Sequence, residues 1–178
     1  SHLLDAEIIL ADLMNISREH LITNNYLPVS NKIKKKFNNA IKRRYRREPV
    51  AYITKKKEFW SLDFIINKFT LVPRPETELL VNEIIKLLKN KRIYILDIGT
   101  GSGCILLSLL KELQFAKGAG LDVSAKAINV AKKNAKKFRL SNRTRFIVDS
   151  IDNFKLGKYD LIVSNPPYIP SGEIKNLS

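Results

Sequence analysis

The chain has 178 residues, 44% of them hydrophobic, enough for one α/β domain with a small appendage. Its one cysteine, Cys104, excludes a disulfide framework, and no apolar run approaches the ~18 residues that span a bilayer, so a cytoplasmic protein without a membrane partner is expected. The formal charge of +15 is uneven: residues 31–47 hold nine basic side chains and no acidic one. That run fits a solvated helix face, the favoured reading, or a surface that steers nucleic acid or another anionic partner.

The first ~50 residues read as helices. Leu4, Ile8, Ile9 and Leu13 recur at helical spacing with Asp5 as N-cap. Ser17 caps a short turn, and Ser30 caps a longer helix whose stripe is Ile33, Phe37, Ile41 and Tyr45. Pro49 interrupts it, and Ala51-Tyr52-Ile53 forms another short turn. Residues 1–55 are therefore expected to be a small helical domain. Over 56–75 the period shifts: Phe59-Trp60-Ser61-Leu62 and Phe64-Ile65-Ile66 alternate as a hairpin linker. Pro73-Arg74-Pro75-Glu76-Thr77-Glu78 then leads stiffly into a helix carrying Leu80, Ile84, Leu87 and Leu88, with acidic residues in its first turn.

From residue 76 onward strands and helices alternate. Strands are predicted near 93–98, 119–123, 144–148 and 159–164, with helices near 103–113 and 124–138, the second capped by Ser124. This is the beginning of an α/β, doubly wound, Rossmann-like parallel sheet, expected in the order 3-2-1-4. A fourth strand left as an apolar edge suggests a truncated domain whose further strands follow Ser178.

Two motifs carry chemistry. Gly99, Thr100, Gly101, Ser102 and Gly103 follow a strand and open a helix, letting backbone approach a ligand closely. Position 104 is Cys rather than the third small residue of a dinucleotide fingerprint, so the spacing suits a nucleoside cofactor without a pyrophosphate. Alone, it equally fits a tight turn with no ligand. Asp122 ends the second strand, where a carboxylate accepts ribose hydroxyls or serves the next helix N-terminus. Asp149 ends the third and fits an adenine amino group or a turn cap. Asp97 is expected to order the glycine loop through backbone N–H groups.

The second motif is Asn165-Pro166-Pro167-Tyr168 after an apolar strand. The prolines stop the strand and fix Asn and Tyr on a stiff turn at its carboxyl end, where open α/β sheets bind ligands. An amide or exocyclic amine nitrogen is a poor nucleophile because its lone pair is delocalised. The Asn165 side-chain oxygen and the Pro166 carbonyl make a pair of acceptors for its two N–H groups. Tyr168 adds a face for the planar group or for a sulfonium. Together the motifs point to methyl transfer.

These motifs resemble the S-adenosyl-L-methionine-dependent amino methyltransferases. The upstream segments Arg47-Glu48-Pro49-Val50-Ala51-Tyr52-Ile53, Glu58-Phe59-Trp60 and Leu71 to Glu78, with Leu4-Asp5-Ala6-Glu7 and Ile16-Ser17-Arg18-Glu19, resemble the HemK/PrmC family over nearly the whole chain. The resemblance implies N5-methylation of the glutamine in the Gly-Gly-Gln motif of class I peptide-chain release factors, with S-adenosyl-L-methionine as cofactor. It implies that Gly99 to Gly103, Asp122 and Asn165 bind the cofactor, beside Asp149 as read from its place after the third strand, that Asn165, Pro166, Pro167 and Tyr168 bind the substrate glutamine, and that residues 1–55 are the helical substrate-recognition domain. It also implies a methyltransferase domain over 76–178, with Pro73–Glu78 beside the methionine end. Two positions depart from the family: Lys55 stands where it usually has Gly, and Ser150 where many members have an aromatic against the adenine. The competing readings are a nucleic-acid amino methyltransferase, suggested by the basic 31–47 run but not favoured, and a non-catalytic RNA- or ribosome-binding module.

Overall fold

The computed structural model describes residues 2–24, 26–155 and 157–166. The chain forms two compact units, Ser1–Lys56 and Lys57–Ser178.

The first unit is helical: α1 (His2–Met14), α2 (Arg18–Thr23), α3 (Asn31–Tyr45) and α4 (Val50–Thr54). Ser17 and Ser30 cap as expected, their hydroxyls accepting from the backbone N–H groups of His20 (3.1 Å) and Ile33 (3.3 Å). Asp5 is not a cap. It lies inside the first turn of α1 and accepts from Arg44 Nε at 2.7 Å, tying α1 to α3. The expected α3 stripe also needs correction at its end, because Tyr45 is 90% exposed. Three steps of four residues from Ile33 drift about 120° round the helix, so the inward line shifts to Ala40 and Arg44. The lysines at 32, 34, 35, 36 and 42 are exposed and form no ion pair among the described residues. After α4, Lys55 holds the left-handed conformation (φ 60°, ψ 20°) as its C-cap. A side chain there is strained, which is why a glycine suits this position. Lys55→Gly is expected to stabilise the protein by about 0.5–1 kcal/mol, read as a higher urea midpoint at unchanged slope.

The second unit begins with a hairpin, β1 (Lys56–Phe59) and β2 (Leu62–Ile65). Its two-residue turn, Trp60-Ser61, has φ of 53° at both positions, the signature of a type I′ turn made without Asn or Gly. Buried Phe59 and Phe64 meet edge to face, and Phe64 meets Phe138 at 4.9 Å between centroids. Then follow α5 (Thr77–Leu88), β3 (Tyr94–Ile98), α6 (Cys104–Glu112), β4 (Lys117–Asp122), α7 (Ala125–Lys137), β5 (Thr144–Val148) and β6 (Leu161–Ser164). Along α5 the buried line is Val81 and Ile84, with Leu88 half-buried; Leu80 and Leu87, also read as apolar positions of this helix, are exposed because they sit about 75° and about 95° round the helix from the middle of that line. Helix α6 is buried from Ile105 through Leu110, so no amphipathic stripe marks it.

The main sheet is parallel with order β5-β4-β3-β6, as the alternation of elements predicted. Its register brings the carboxyl ends level. Ile98 pairs with both Leu121 and Ser164, and Asp122 pairs with Val148. Asp160 starts β6 by accepting the Tyr94 N–H on its carboxylate at 2.7 Å and donating its own N–H to the Tyr94 carbonyl at 2.9 Å.

A fully buried carboxamide ties the hairpin to this sheet. Asn134, on α7, accepts from the Ile65 N–H (2.8 Å) and donates to the carbonyls of Ile65 and Ser102 (both 2.9 Å). Asn134→Ala would leave three buried backbone groups without partners, so a loss of about 3 kcal/mol is expected by urea denaturation.

Candidate active site

Because the strand ends are level, the segments that follow them open on one edge. They are Gly99 after β3, Val123 after β4, Asp149 after β5 and Asn165 after β6. Between β3 and β6 the direction of strand addition reverses, and at such a reversal open α/β sheets form a crevice. A cleft of about 500 Å³ lies there, lined by Gly99, Gly101, Asp122, Asp149, Asn165 and Pro166, among others, and its size is ordinary for a small-molecule site. The glycine turn and the acceptor turn thus face a common space. Pro167 and Tyr168 lie outside the described residues.

The glycine loop owes its shape to three left-handed residues, Gly99 (φ 70°), Gly101 (φ 55°) and Gly103 (φ 80°). A Cβ added at Gly99 would meet nothing within 4 Å, so the loop leaves open space beside its backbone. The loop is anchored on both sides. Thr100 donates its N–H to the Leu121 carbonyl at 2.9 Å, and Gly101 donates its N–H to Asp122 Oδ2 at 2.9 Å. Thr100 also sits against Gly120, where a Cβ would lie 2.8 Å from the threonine hydroxyl. Gly103 then opens α6 with no side-chain cap, at the end of the helix where the backbone dipole favours negative charge.

Asp97 orders this loop, through a side chain rather than the backbone N–H groups expected. The Thr100 hydroxyl donates to its Oδ2 at 2.7 Å, while Oδ1 has no hydrogen-bond partner among the described residues. Burial pushes its carboxyl up to about 7, opposed by the Thr100 hydroxyl and the Leu106 backbone amide and aided slightly by nearby Asp122. Burial also pushes the Cys104 thiol up to about 12, so it is not a thiolate at neutral pH.

The other two carboxylates each serve the backbone as well as the cleft. Asp122 accepts from Gly101 N–H on Oδ2 and from Ser124 N–H on Oδ1 (2.8 Å), and Asp149 accepts from Ser150 N–H on Oδ1 (2.8 Å). The backbone role weighed from sequence is thus present at each, and each carboxylate lines the cleft with lone pairs left for further donors. Asn165 is half-buried, and its Nδ2 donates to the Thr77 hydroxyl at the start of α5 (3.3 Å). The Ser164 hydroxyl, next to it, donates to the Ile98 carbonyl at 3.0 Å.

Sequence reasoning passed over the apolar lining: Phe69, Leu71, Val123 and Ile151. Val123 is 73% exposed. A large apolar residue straight after a strand-ending aspartate, with no core to enter, was the available signal. Lys126 rests its ammonium 4.4 Å from the Phe69 ring centroid at this rim.

The family model for the methyltransferase small domain matches residues 75–176, more than half of the chain. The chain belongs to the methyltransferase small domain family. Residues 1–54 match the PrmC N-terminal domain, so this member of the family carries the domain pair implied by its resemblance to HemK/PrmC proteins. Among its relatives is a release factor glutamine methyltransferase of Caulobacter vibrioides, 39% identical over 176 residues, 98% of this chain and 61% of that protein. Another, from Bradyrhizobium diazoefficiens, is 40% identical over 98% of this chain and 60% of its own length. A bifunctional methyltransferase of Rickettsia conorii is 36% identical over 98% of this chain and 38% of its own length. The chain spans about three-fifths of the length of the release factor methyltransferases it matches.

A pH dependence of stability follows from Asp97 in this methyltransferase-family site. Between about pH 4 and pH 7 the unfolded chain releases the Asp97 proton while the folded chain retains it. Its contribution is therefore full below pH 4 and lost as pH rises to 7. Asp97→Asn is expected to remove a decline of up to about 4 kcal/mol across that window, measured as urea midpoints at a series of pH values.

Proposed function

We propose that this chain carries the cofactor site and acceptor turn of an S-adenosyl-L-methionine-dependent enzyme that methylates a glutamine side chain. The substrate is the glutamine of the Gly-Gly-Gln motif in class I peptide-chain release factors, methylated at N5 in the cytoplasm. No helix among the described residues is long and apolar enough to cross a membrane. The observation that carries the reading is the common cleft, in which the glycine turn, Asp122, Asp149, Asn165 and Pro166 meet. The identity of about 39% over nearly the whole chain to proteins named for this activity supports the choice of substrate.

The cofactor supplies a methyl group on a positively charged sulfur. Gly99, Thr100, Gly101, Ser102 and Gly103 provide the close-approach backbone and Asp122 the acceptor for ribose hydroxyls. Asp149 accepts from the adenine amino group, and Val123 and Ile151 give the base apolar contact where Ser150 offers no aromatic ring. Asn165 Oδ1 and the Pro166 carbonyl each accept one N–H of the substrate amide, turning its nitrogen lone pair toward the methyl. Pro167 and Tyr168 complete the substrate-binding set by their place in the sequence motif, Tyr168 with a ring suited to the planar amide or to the sulfonium. Asn165 also borders the cofactor through the shared cleft. The new N–C bond forms as the C–S bond breaks, and the amide proton, acidic once nitrogen is cationic, leaves to water. Positioning at ~3–3.5 Å in line with the breaking bond supplies much of the rate, so no strong base is required. The helical unit holds the release factor.

The test is transfer of labelled methyl from S-adenosyl-L-methionine to a recombinant class I release factor. Label is expected on the Gly-Gly-Gln glutamine and absent when that glutamine is replaced by alanine. Label on RNA or DNA but not on the factor would overturn the reading. Asn165→Ala should lower turnover by on the order of 10²–10³, the scale of losing one preorganised polar contact. Near-normal turnover in that variant would remove its role.

A further inference from the structure

A second, smaller cavity of about 230 Å³ adjoins the cofactor cleft. It is lined by Arg74, Glu76, Thr77, Leu80, Ser164 and Asn165, and the last two line both cavities. The contact between Thr77 and Asn165 sits at this junction and joins residues 88 positions apart in sequence.

We propose that Thr77 is a positioning residue for methyl transfer, restraining rotation of the Asn165 carboxamide at the acceptor turn. This rests on the reading of Asn165 as an acceptor for the substrate amide. An asparagine carboxamide is nearly symmetric in shape, and a half-turn about its last bond exchanges an acceptor oxygen for a donor nitrogen. Presenting the nitrogen to a substrate N–H sets donor against donor. Thr77 Oγ1, by accepting from Nδ2, restrains that rotation in the arrangement with Oδ1 on the other side of the carboxamide.

Thr77 is itself held firmly. It is the first residue of α5, and its N–H donates to the Arg74 carbonyl at 3.1 Å. Pro73 and Pro75 limit the backbone on either side of that carbonyl. The next turn of contact is Glu78, whose carboxylate accepts the Trp60 N–H of the hairpin turn at 2.8 Å. The helix start is thus pinned to the hairpin, and its leading hydroxyl is delivered to the acceptor turn. Threonine at a helix start needs no such partner, since Thr77 caps nothing: the α5 N-cap position is Glu76 and makes no side-chain cap bond.

Thr77→Val keeps the shape and removes the acceptor; Thr77→Ser keeps the hydroxyl. In the release factor assay Thr77→Val should lower kcat by about 10–100-fold, with the Kd for S-adenosyl-L-methionine within about twofold of the parent, and Thr77→Ser should restore most of the rate. Independently of any methyl acceptor, the side-chain amide of Asn165 is read by ¹⁵N-correlated NMR, assigned by its disappearance in Asn165→Asp. Its resonances should shift and exchange faster with solvent in Thr77→Val and stay near the parent's in Thr77→Ser. An unmoved Asn165 amide in Thr77→Val, or an equal kcat loss in both Thr77 variants, overturns the proposal. A moved amide with no label on the release factor from the parent protein would instead overturn the substrate reading and leave the Thr77 contact standing.

Discussion

The level register of four parallel strands governs everything else in this molecule. Because Ile98 aligns with Leu121 and Ser164, and Asp122 with Val148, the loops leaving β3, β4, β5 and β6 all begin at one edge. A one-residue slip would turn every side chain of the slipped strand to the opposite face of the sheet, and with them Asp122 at the end of β4 or Asp149 just after β5. The cleft is thus a product of ladder hydrogen bonds before it is a product of any site residue. Asp160 and Ser164 hold the two ends of β6 to β3, which fixes where the acceptor turn starts.

Around that frame, polar contacts couple separate elements to the glycine loop. Asn134 binds the hairpin backbone and the Ser102 carbonyl with one carboxamide; Asp122 holds Gly101 from the next strand; Asp97 holds Thr100 from below. Each is a buried or half-buried group whose removal leaves a partner unsatisfied, so the loop is rigid by mutual dependence rather than by any one bond. Such preorganisation is what in-line methyl transfer to a weak nucleophile requires.

Much of this was legible in the sequence, for local reasons. Alternating apolar strands and capped helices gave the sheet order, and Ser17, Ser30 and Ser124 cap through bonds three residues ahead, a separation that pattern reading handles well. Periodicity failed where drift accumulates: at Tyr45, at the end of a 15-residue helix, and at Leu80 and Leu87, where a neighbouring apolar line competed. It was silent on α6, buried on all sides. The site was legible as to which residues meet but not as to how. Asp97 bonds a hydroxyl where backbone was expected, and the contacts of Asn134 and Thr77 span 69 and 88 positions, beyond the reach of any spacing rule. Val123 and Ile151 escaped because apolar residues read as core until the fold shows no core beside them.

Cys104 opens α6 directly after the glycine loop, where a thiolate would be a soft nucleophile three residues from cleft-lining Gly101. With its thiol pushed up to about 12, it carries almost no thiolate in a neutral cell. The same seating of the helix on the sheet thus keeps this sulfur in its weakly nucleophilic thiol form.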